Sequence, residues 1–488
     1  MRRVLIGAAF GATLLPALWH LVTLITVLSA RLRFPQDIEW MEGSHLYHAY
    51  RLAHGLPIYI DPARGFATFP YPPLYWIVVA LIGRLFGLDY WTGRLVSVAS
   101  LFGSLIILGA VLLRRAPTRW LGVLFALVGA ASVGASYPSA YGSFDLARSD
   151  ALATFLPIGA AALAGDGRIS RTRALLTAGA ATAAIWTKQT GIFFAAWIGA
   201  FVFVRCASRG RLVLGATAAA CAVLFALACA ITDGWFAVWL FDMRHHAIAW
   251  STWADPAFVF VHANPLLVTV PPLAFALQRR GWLSAEAAKW IGVLAAAVVG
   301  TMLAHVKVGG WVNLYIPVLV LSWPVTLLLF CDLLRGLWPG RAGLTVGWLT
   351  LAAAATTFTL RRYDPAPYIP TQKMWAAAHR FHEAIAGFDG EVIVSTKPFA
   401  AVRDGKHCEQ PIFQGYFDSQ NAGMTTTFVD ALGLSCARYL IVTSTELEAY
   451  LQDALARSYD RVGELDLDLD APGFFLQARP VLWKRRAP

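Results

Sequence analysis

Three carboxylates follow the first hydrophobic segment of the chain: Asp37, Glu39 and Glu42, in the sequence QDIEWMEG. They precede two aromatic and proline-containing elements, HGLPIY and then YPPLYW at 71–76. Charged groups this close to a bilayer require solvent or a bound substrate to stabilise them. The pattern therefore indicates a reaction centre at the boundary between water and lipid, with an ordinary acidic loop as the alternative.

Ionisable residues also occur where later apolar segments meet polar sequence. Asp145 and Asp150 flank Arg148 in FDLARSDAL, and Lys188 follows Trp186 in WTKQTG. Lys188 can bind a lipid phosphate or simply extend its ammonium to the membrane interface. Asp150 can cap a helix, where the helix dipole favours an anion, or it can hold an acceptor, Arg148 or a cation. Both alternatives stay open at this point.

A third basic group, His305 and Lys307, lies in HVKVGGWVN. The two glycines after it allow backbone N–H groups to approach an anion closely. This segment predicts a phosphate-binding turn, with a plain hairpin as the alternative.

The elements that must position these residues are membrane helices. Of the 488 residues, 58% are hydrophobic and 14% are charged, and the mean hydropathy is +0.57, which indicates a polytopic membrane protein rather than a soluble domain. A spanning helix requires about 20 mostly apolar residues, and the three candidates between 149 and 205 have apolar centres of only about 14. The sequence predicts eleven transmembrane helices, at residues 4–30, 95–113, 120–136, 149–165, 173–190, 191–205, 212–232, 256–278, 289–305, 311–333 and 343–360.

Basic residues predict how these helices are oriented. Arg and Lys are concentrated in alternate connections, beginning with Arg2 and Arg3 and continuing at 114–119, 168–173 and 205–211. The positive-inside rule places these connections in the cytoplasm. The net charge of +11 therefore reflects topology and anionic lipid headgroups, and it gives no reason to expect a nucleic acid partner. The first span lacks a small-residue cleavage site and is expected to remain as an anchor.

An odd number of spans predicts that the first loop and the C-terminal segment share the extracytoplasmic side. The first loop, residues 31–94, is expected to form two interfacial helices, in SHLYHAYRLAH and PLYWIVVALIGRLFG. The C-terminal segment, residues 361–488, predicts a small α/β domain with helices at 371–387 and 445–457 and strands in EVIVS, ARYLIVTS and FFLQARPVLW.

Two of the six cysteines, Cys408 and Cys436, fall in this C-terminal domain. In an oxidising compartment they can form a disulfide, and buried thiols are the alternative.

The order of several motifs resembles the GT-C glycosyltransferases of bacteria, and most closely glycosyltransferase family 39, the protein mannosyltransferase and lipid A aminoarabinose transferase group. The shared features are an acidic group after the first span, a G-x-P-x-Y element, YPPL, an arginine before the second span and a second acidic site after the third. The segments that carry the resemblance are MEGSHLYHAYRLAHGLPIY, FPYPPLYW, GRLVSVAS, DLARSDALA, WTKQTG, DGWFAVWLF and GGWVNLYIP. It covers residues 1–330.

This resemblance implies an α-helical polytopic membrane protein with a GT-C domain over residues 1–360. It implies a hexosyl- or pentosyltransferase of the bacterial inner membrane that takes a sugar from a polyprenyl-phosphate carrier. The acceptor, a glycan, lipid or protein, would be modified on the extracytoplasmic face. The catalytic acidic position of the family corresponds to Asp37 or Glu39, because its adjacent Asp-Glu pair is here interrupted by Ile38. Asp37, the first carboxylate past the membrane, is the favoured base, and Glu39 is the second candidate.

A departing lipid phosphate is already anionic and requires positive charge, whereas an acceptor hydroxyl requires a carboxylate to take its proton. Glu42 is expected to bind the acceptor or to make a structural hydrogen bond. The residues expected to bind substrates are Glu42, Tyr71, Asp145, Arg148, Asp150, Lys188, His245, His305 and Lys307.

A divalent metal is possible but not required by the pattern. His245, His246 and Asp242 in the tryptophan-rich loop 233–255 can ligate a metal together with a first-loop glutamate, as in some relatives. No compact His-x-x-His spacing supports this site, so the metal requirement stays open.

Three other functions are compatible with a polytopic protein of this composition. A transporter or lipid flippase would place ionisable groups near the bilayer midplane and often contains repeated halves, and neither feature is evident. A non-catalytic assembly or sensor protein would not need the first-loop carboxylates. A ligase or polymerase of lipid-linked glycans uses the same carriers on the same face and is the nearest alternative.

Overall fold

Helices form most of the chain. The computed structural model describes residues 2–242, 247–307, 309–338, 340–421, 423–467 and 479–486. Up to residue 360 the helices are α1 (Arg2–Leu32), α2 (Glu42–Ala53), α3 (Leu74–Phe86), α4 (Tyr90–Arg115), α5 (Arg119–Ala135), α6 (Asp150–Ala164), α7 (Arg171–Thr187), α8 (Gly191–Arg205), α9 (Ala207–Ile231), α10 (Trp235–Phe241), α11 (Asp255–Ala263), α12 (Val270–Arg279), α13 (Ala285–His305), α14 (Ile316–Leu337) and α15 (Arg341–Leu360).

Every predicted span overlaps a helix, but not every helix is long enough to cross a membrane alone. Among the described residues, six helices are long and apolar enough, and a seventh is obtained if one bent pair is counted as a single span. Helices α6 and α8 contain 15 residues each, a length of about 23 Å, whereas a hydrocarbon core is about 30 Å thick. The count of eleven spans therefore stays a prediction.

A sharp bend lies within the predicted span over 256–278. Two helical segments, Trp250–Ala263 and Pro265–Arg279, meet there at an angle of 104°. The break has a local cause, because the proline that opens the second segment has no N–H to continue the first helix. Asn264 at the break donates a hydrogen bond to Thr326 of α14 at 3.0 Å, which attaches the bend to the bundle.

Helix α14 lies at the centre of the bundle, where it packs against α4, α5, α13 and α15. In the most apolar stretch of 18 residues within Val312–Leu337, 83% of the residues are buried inside the protein. The sequence explains this burial, since α14 is almost continuously apolar and its charged residues, Asp332 and Arg335, lie near one end.

Helices α2 and α3 of the first loop form where interfacial helices were predicted. Helix α2 does not have an exposed outer face, however. Glu42, Ser44, His45 and His48 are all buried, because α3 covers one side of the helix and the C-terminal segment covers the other. The polar residues of α2 therefore have protein partners rather than water, and this burial determines the geometry of the site.

The described residues of the C-terminal unit, within 361–486, form a four-stranded sheet and five further α-helices, in agreement with the predicted α/β domain. The elements are α16 (Gln372–Gly387), β1 (Val392–Val394), α17 (Pro398–Arg403), α18 (Phe413–Asn421), α19 (Phe428–Leu434), β2 (Tyr439–Val442), α20 (Thr445–Ser458), β3 (Tyr459–Glu464) and β4 (Val481–Arg485). The strand order is β1-β2-β4-β3, with β1 and β2 parallel and the other pairs antiparallel.

Both predicted helices of this unit are confirmed by α16 and α20, and the three predicted strand segments each overlap β1, β2 or β4 in their described residues. Strand β3 was not predicted, because its sequence YDRVGE has no apolar run and most of its side chains are exposed. Cys408 and Cys436, whose pairing the sequence left open, form a disulfide.

Candidate active site

Glu42, the first residue of α2, is fully buried together with Arg94 of α4. Arg94 Nε and Nη2 donate to the two Glu42 carboxylate oxygens at 2.9 and 2.8 Å, the bidentate geometry of strong pairs. The backbone N–H groups of Ile38 and Ala147 donate to the same oxygens at 2.6 and 2.7 Å. Burial favours a raised pKa for Glu42, but Arg94 and these N–H donors outweigh it and lower the pKa. All four acceptor positions of the ionised carboxylate are occupied.

Arg94 also fixes the turn that leaves α1. Its guanidinium donates to the backbone carbonyls of Arg31, Phe34 and Gln36 at 3.0, 2.6 and 2.5 Å. Arg94 was not among the predicted site residues, although it is the arginine that precedes the second span in the resemblance. Its buried role could have been inferred from its position, because Arg94 is a single arginine at the start of an otherwise apolar span. A charge in such a place requires a buried partner.

Asp37 is likewise fully buried, and both of its carboxylate oxygens are engaged. Oδ1 accepts a hydrogen bond from the Gly43 N–H, and Oδ2 accepts one from the Tyr90 hydroxyl at 2.9 Å. Lys397 of the C-terminal unit places its Nζ 3.7 Å from Oδ2. A Cβ atom at Gly43 would lie 2.6 Å from Asp37 Oδ1, so this approach requires glycine. Burial raises the pKa of Asp37, and Lys397 and the hydrogen bonds oppose that shift.

Glu39 differs from its two neighbours because its side chain is 18% exposed, whereas those of Asp37 and Glu42 are 0% exposed. Oε2 accepts the Met41 N–H at 3.1 Å and lies 3.0 Å from Arg148 Nη1. Oε1 has no hydrogen-bond partner within the described part of the chain. Burial raises the pKa of Glu39, and Arg148 opposes the shift. A carboxylate with a free oxygen and a raised pKa has the properties of a general base.

Arg148 connects Glu39 to Asp150, the first residue of α6. Arg148 Nε lies 3.4 Å from Asp150 Oδ2. The other Asp150 oxygen contacts Lys188 Nζ at 2.5 Å and accepts a hydrogen bond from Asn313 Nδ2 at 2.9 Å. We call Glu39, Arg148, Asp150 and Lys188 the charged cluster. All four were predicted from the sequence, and four separate segments bring them and Asn313 together.

A narrow cleft opens beside the charged cluster, between α8, α13 and the start of α14. Asp150, Lys188 and Asn313 line its polar end. Its remaining walls are mainly apolar and include Phe194, Ala297, Leu314 and Pro317. The cleft therefore combines an apolar lining with an ammonium group at one end.

Tyr71 and His45 extend the charged cluster towards the first loop. Lys188 Nζ lies 5.9 Å from the centre of the Tyr71 ring, and the His45 ring is stacked on the same tyrosine with ring centres 6.2 Å apart. Trp76 Nε1 donates to His45 Nδ1 at 2.8 Å. Because an indole N–H can only donate, His45 carries its proton on Nε2. Burial and the nearby Arg148 hold the pKa of His45 well below its usual value, so the ring is neutral.

His45 was not among the predicted site residues. It lies three residues after Glu42, and residues at this spacing share one face of a helix. This spacing from Glu42 could have indicated that His45 lies near the site.

Asp145 is not part of the charged cluster, although it was predicted to flank Arg148 there. Its carboxylate lies 3.2 Å from Arg31 Nε and accepts a hydrogen bond from the Tyr137 hydroxyl at 2.8 Å. These three side chains are buried between α1 and the loop before α6. The reason is the local path of the chain, which directs Asp145 towards α1 and Asp150 towards α7.

His305 and Lys307 lie in a tight turn after α13. The His305 ring lies 3.4 Å from the Tyr315 hydroxyl, and Lys307 forms a backbone bridge with Ile248. A Cβ atom at Gly310 would lie 2.7 Å from the His305 carbonyl oxygen, so close packing of the turn accounts for this glycine. Asn313, a few residues on, is the side chain of this segment that reaches Asp150.

His245 lies outside the described residues, together with Arg244 and His246. Among the residues that the structure does describe, no group of three or more His, Cys, Asp or Glu side chains is arranged to hold a metal ion.

The chain is similar in structure to proteins whose structures are known. No protein-family model and no curated protein matches the chain. A crystal structure of ArnT from Cupriavidus metallidurans bound to undecaprenyl phosphate matches with a TM-score of 0.57 and 14% identity, over 98% of each chain. The apo state of the same protein matches with a TM-score of 0.53 and 14% identity, over 96% of this chain and 97% of that chain. The chain therefore has the GT-C fold that the resemblance predicted. The small C-terminal sheet was predicted from the strand patterns and not from the resemblance.

Proposed function

We propose that the chain is an integral-membrane glycosyltransferase that transfers a sugar from a polyprenyl-phosphate carrier to an acceptor hydroxyl on the extracytoplasmic side. The observation that carries this proposal is the junction of an apolar cleft with the charged cluster. That cluster combines two cations, Arg148 and Lys188, with Glu39, a carboxylate that keeps one oxygen without a partner among the described residues. A polyprenyl phosphate has the matching distribution of groups, since a long apolar chain ends in an anion.

The cleft is the proposed site of the carrier. Its apolar walls match isoprene units in polarity, and Lys188 at the polar end matches the phosphate. The free space of about 20 Å³ holds only a water-sized molecule, so the cleft must widen to admit the carrier. Arg148 supplies a second cation, and the neutral His45 supplies an Nε2–H donor near both. The match to ArnT bound to undecaprenyl phosphate supports this assignment, because that protein holds such a carrier within the same fold.

Glu39 is the proposed general base. A base needs an oxygen that is free to accept a proton. Glu39 Oε1 is buried but has no hydrogen-bond partner among the described residues, whereas Asp37 accepts hydrogen bonds through both of its oxygens. The sequence favoured Asp37 with Glu39 as the second candidate, and the unpartnered oxygen is the reason for preferring Glu39 here.

The proposed step is a direct displacement at the anomeric carbon. Glu39 takes the proton of the acceptor hydroxyl, the acceptor oxygen bonds to the anomeric carbon, and the bond from that carbon to the phosphate oxygen breaks. The phosphate keeps the electron pair of this bond and leaves on the polyprenyl carrier with an additional negative charge. Atoms and charge balance without a further reactant.

The charged cluster is suited to this change in charge. With Glu39 ionised, two cations and two carboxylates cancel, so the cluster is neutral before reaction. When Glu39 becomes protonated, Arg148 loses one of its two anionic partners and the cluster gains one positive charge. The gain coincides with the new negative charge on the departing phosphate. Proton transfer and leaving-group stabilisation are thereby coupled through Arg148.

The proposed location is a bacterial inner membrane, with the charged cluster on the extracytoplasmic side. The basic connections between helices support this orientation through the positive-inside rule. The Cys408–Cys436 disulfide supports it independently, because disulfides persist in oxidising compartments. Pentosyl or hexosyl donors and the identity of the acceptor are open within the proposal.

The direct test is to purify the full chain in nanodiscs and supply labelled pentosyl- and hexosyl-phosphate polyprenols. We expect a polyprenyl phosphate to copurify, as detected by native mass spectrometry, and Lys188→Ala to lose it. Lys484→Ala is the matched control, because Lys484 is an exposed lysine on β4. Absence of any copurifying carrier together with absence of transfer from every donor would contradict the proposal.

A further inference from the structure

The C-terminal unit contacts the first loop on both sides of the acidic segment. His382 Nε2 lies 2.7 Å from the Pro35 carbonyl oxygen, before the three carboxylates. After them, the Tyr47 hydroxyl donates to Glu409 at 2.7 Å. The acidic segment is therefore held between two contacts from the same unit.

Between these contacts the C-terminal unit supplies a cation, Lys397. It follows β1, where its N–H donates to the Val394 carbonyl at 3.2 Å, and it immediately precedes α17. Its backbone is therefore fixed by the turn from strand to helix. The Lys397 side chain is 4% exposed, and its ammonium pairs with the fully buried Asp37.

Each member of this pair requires the other. A buried ammonium or carboxylate without a counter-ion is strongly disfavoured, and it responds by changing its protonation or by moving towards water. The other charged or titratable groups acting on Asp37 are Glu42, which has the same sign, and the Tyr90 hydroxyl. Lys397 is thus the cation that compensates Asp37 among the described residues.

Asp37 in turn fixes the beginning of α2. Its Oδ1 accepts the Gly43 N–H, so the charge on Asp37 strengthens a hydrogen bond that closes residues 37–43 into a turn. The far end of the same turn is fixed by Glu42 and Arg94. Glu39 lies within this turn, and its own carbonyl accepts the Glu42 N–H at 3.1 Å. The position of Glu39 therefore depends on both anchors.

We propose that Lys397 is a positioning residue for sugar transfer: by pairing with Asp37 it holds the turn 37–43 in the shape that presents Glu39 to Arg148 and the acceptor. The C-terminal unit then takes part in forming the active site, because it supplies the lysine that holds this turn. This inference rests on the proposed function for its kinetic consequence only, since the coupling of Lys397 to the turn is a property of the fold.

The test compares Lys397→Met, Lys397→Arg, Asp37→Asn and the double variant Asp37→Asn/Lys397→Met, with Lys484→Met as a matched lysine control on the same unit. The full chain is assayed for transfer and for hydrogen exchange at the Gly43 amide. We expect Lys397→Met to lower kcat by roughly 10- to 100-fold while KM for the carrier stays near its original value, because the cleft is untouched. Lys397→Arg should recover part of kcat, and Lys484→Met should match the unmodified protein.

The double variant keeps the inference testable if Lys397→Met folds poorly, because it removes both charges and leaves neither buried alone. We expect its kcat to be no lower than that of the worse single variant, since residues that act as a unit are not additive. Multiplying losses would overturn the inference. So would an unchanged kcat in Lys397→Met.

Hydrogen exchange separates this inference from the proposed function. Faster exchange at Gly43 in Lys397→Met, with protection restored in Lys397→Arg, would support the coupling even if no sugar transfer were found. Unchanged exchange in Lys397→Met would overturn the coupling even in an active transferase.

Discussion

Replacing Glu39 by Gln should abolish sugar transfer while leaving the protein folded and able to bind its carrier. The substitution keeps the shape of the side chain and the oxygen that accepts the Met41 N–H, but it removes the basic site. Arg148 retains Asp150 at 3.4 Å, so it is not left without an anionic partner. The variant therefore isolates the proton-accepting role of Glu39.

Glu39→Gln should have a large effect on the rate of transfer and a small effect on the free energy of folding. A positioned general base typically contributes 10²- to 10⁴-fold in rate, which corresponds to about 3–5 kcal/mol of transition-state stabilisation. The lost ion pair is partly exposed and should cost about 1 kcal/mol of folding free energy. Asp37→Asn should instead have its main effect on stability. It leaves Lys397 buried without a counter-ion, at a cost of about 3–5 kcal/mol of folding free energy.

The assay needs three readouts on each purified variant: the rate of transfer from a fluorescent lipid-linked sugar, copurification of the carrier, and the midpoint of thermal unfolding. Glu39→Gln should lose transfer alone, whereas Asp37→Asn should lower the unfolding midpoint together with the rate. If Glu39→Gln transfers within tenfold of the unmodified rate, Glu39 is not the base. If Asp37→Asn is inactive with an unchanged midpoint and normal carrier binding, the base is Asp37, and the unpartnered oxygen of Glu39 does not identify the base.

Three further outcomes follow from the structure. Arg94→Leu should lower the free energy of unfolding by about 3–5 kcal/mol, seen as a lower thermal midpoint, because Glu42 would stay buried without its counter-ion; a midpoint equal to that of the unmodified protein would contradict the structural role. The kcat/KM of transfer should rise with pH as Glu39 loses its proton, with a midpoint above about 4.3, the ordinary pKa of Glu, because burial raises the pKa of Glu39. A rate that falls over this range would exclude a carboxylate base. A topology reporter fused after Asp364 should be active only outside the cytoplasm, and cytoplasmic activity would place the C-terminal unit on the wrong side for the proposed reaction.

The sequence predicted the features that depend on local pattern. Apolar runs located the helices, and the helical patterns at 371–387 and 445–457 correspond to α16 and α20. The order of motifs in the sequence indicated the GT-C fold. The bend within residues 256–278 could not be predicted from the hydrophobic pattern. A proline inside this apolar run does not reveal the angle at which the two helices meet.

The partners of the site residues could not be predicted, because each comes from a distant part of the chain. Arg94, Lys397 and Asn313 lie between 52 and 360 residues from the carboxylates that they contact. No periodicity in the sequence relates positions at such separations. Asp145 illustrates the same limit, since its spacing from Arg148 suggested a shared site and the fold directs it to Arg31 instead.

The three first-loop carboxylates are nearly equivalent in the sequence, yet the fold gives them three different environments. Arg94 from α4 saturates Glu42, and Lys397 from the C-terminal unit compensates Asp37 in full burial. Arg148 leaves one oxygen of Glu39 free. The environment of each carboxylate in this short acidic segment is therefore decided by which distant cation reaches it. The two saturated carboxylates hold the turn 37–43, and the third keeps one oxygen without a partner for the proton transfer that we propose.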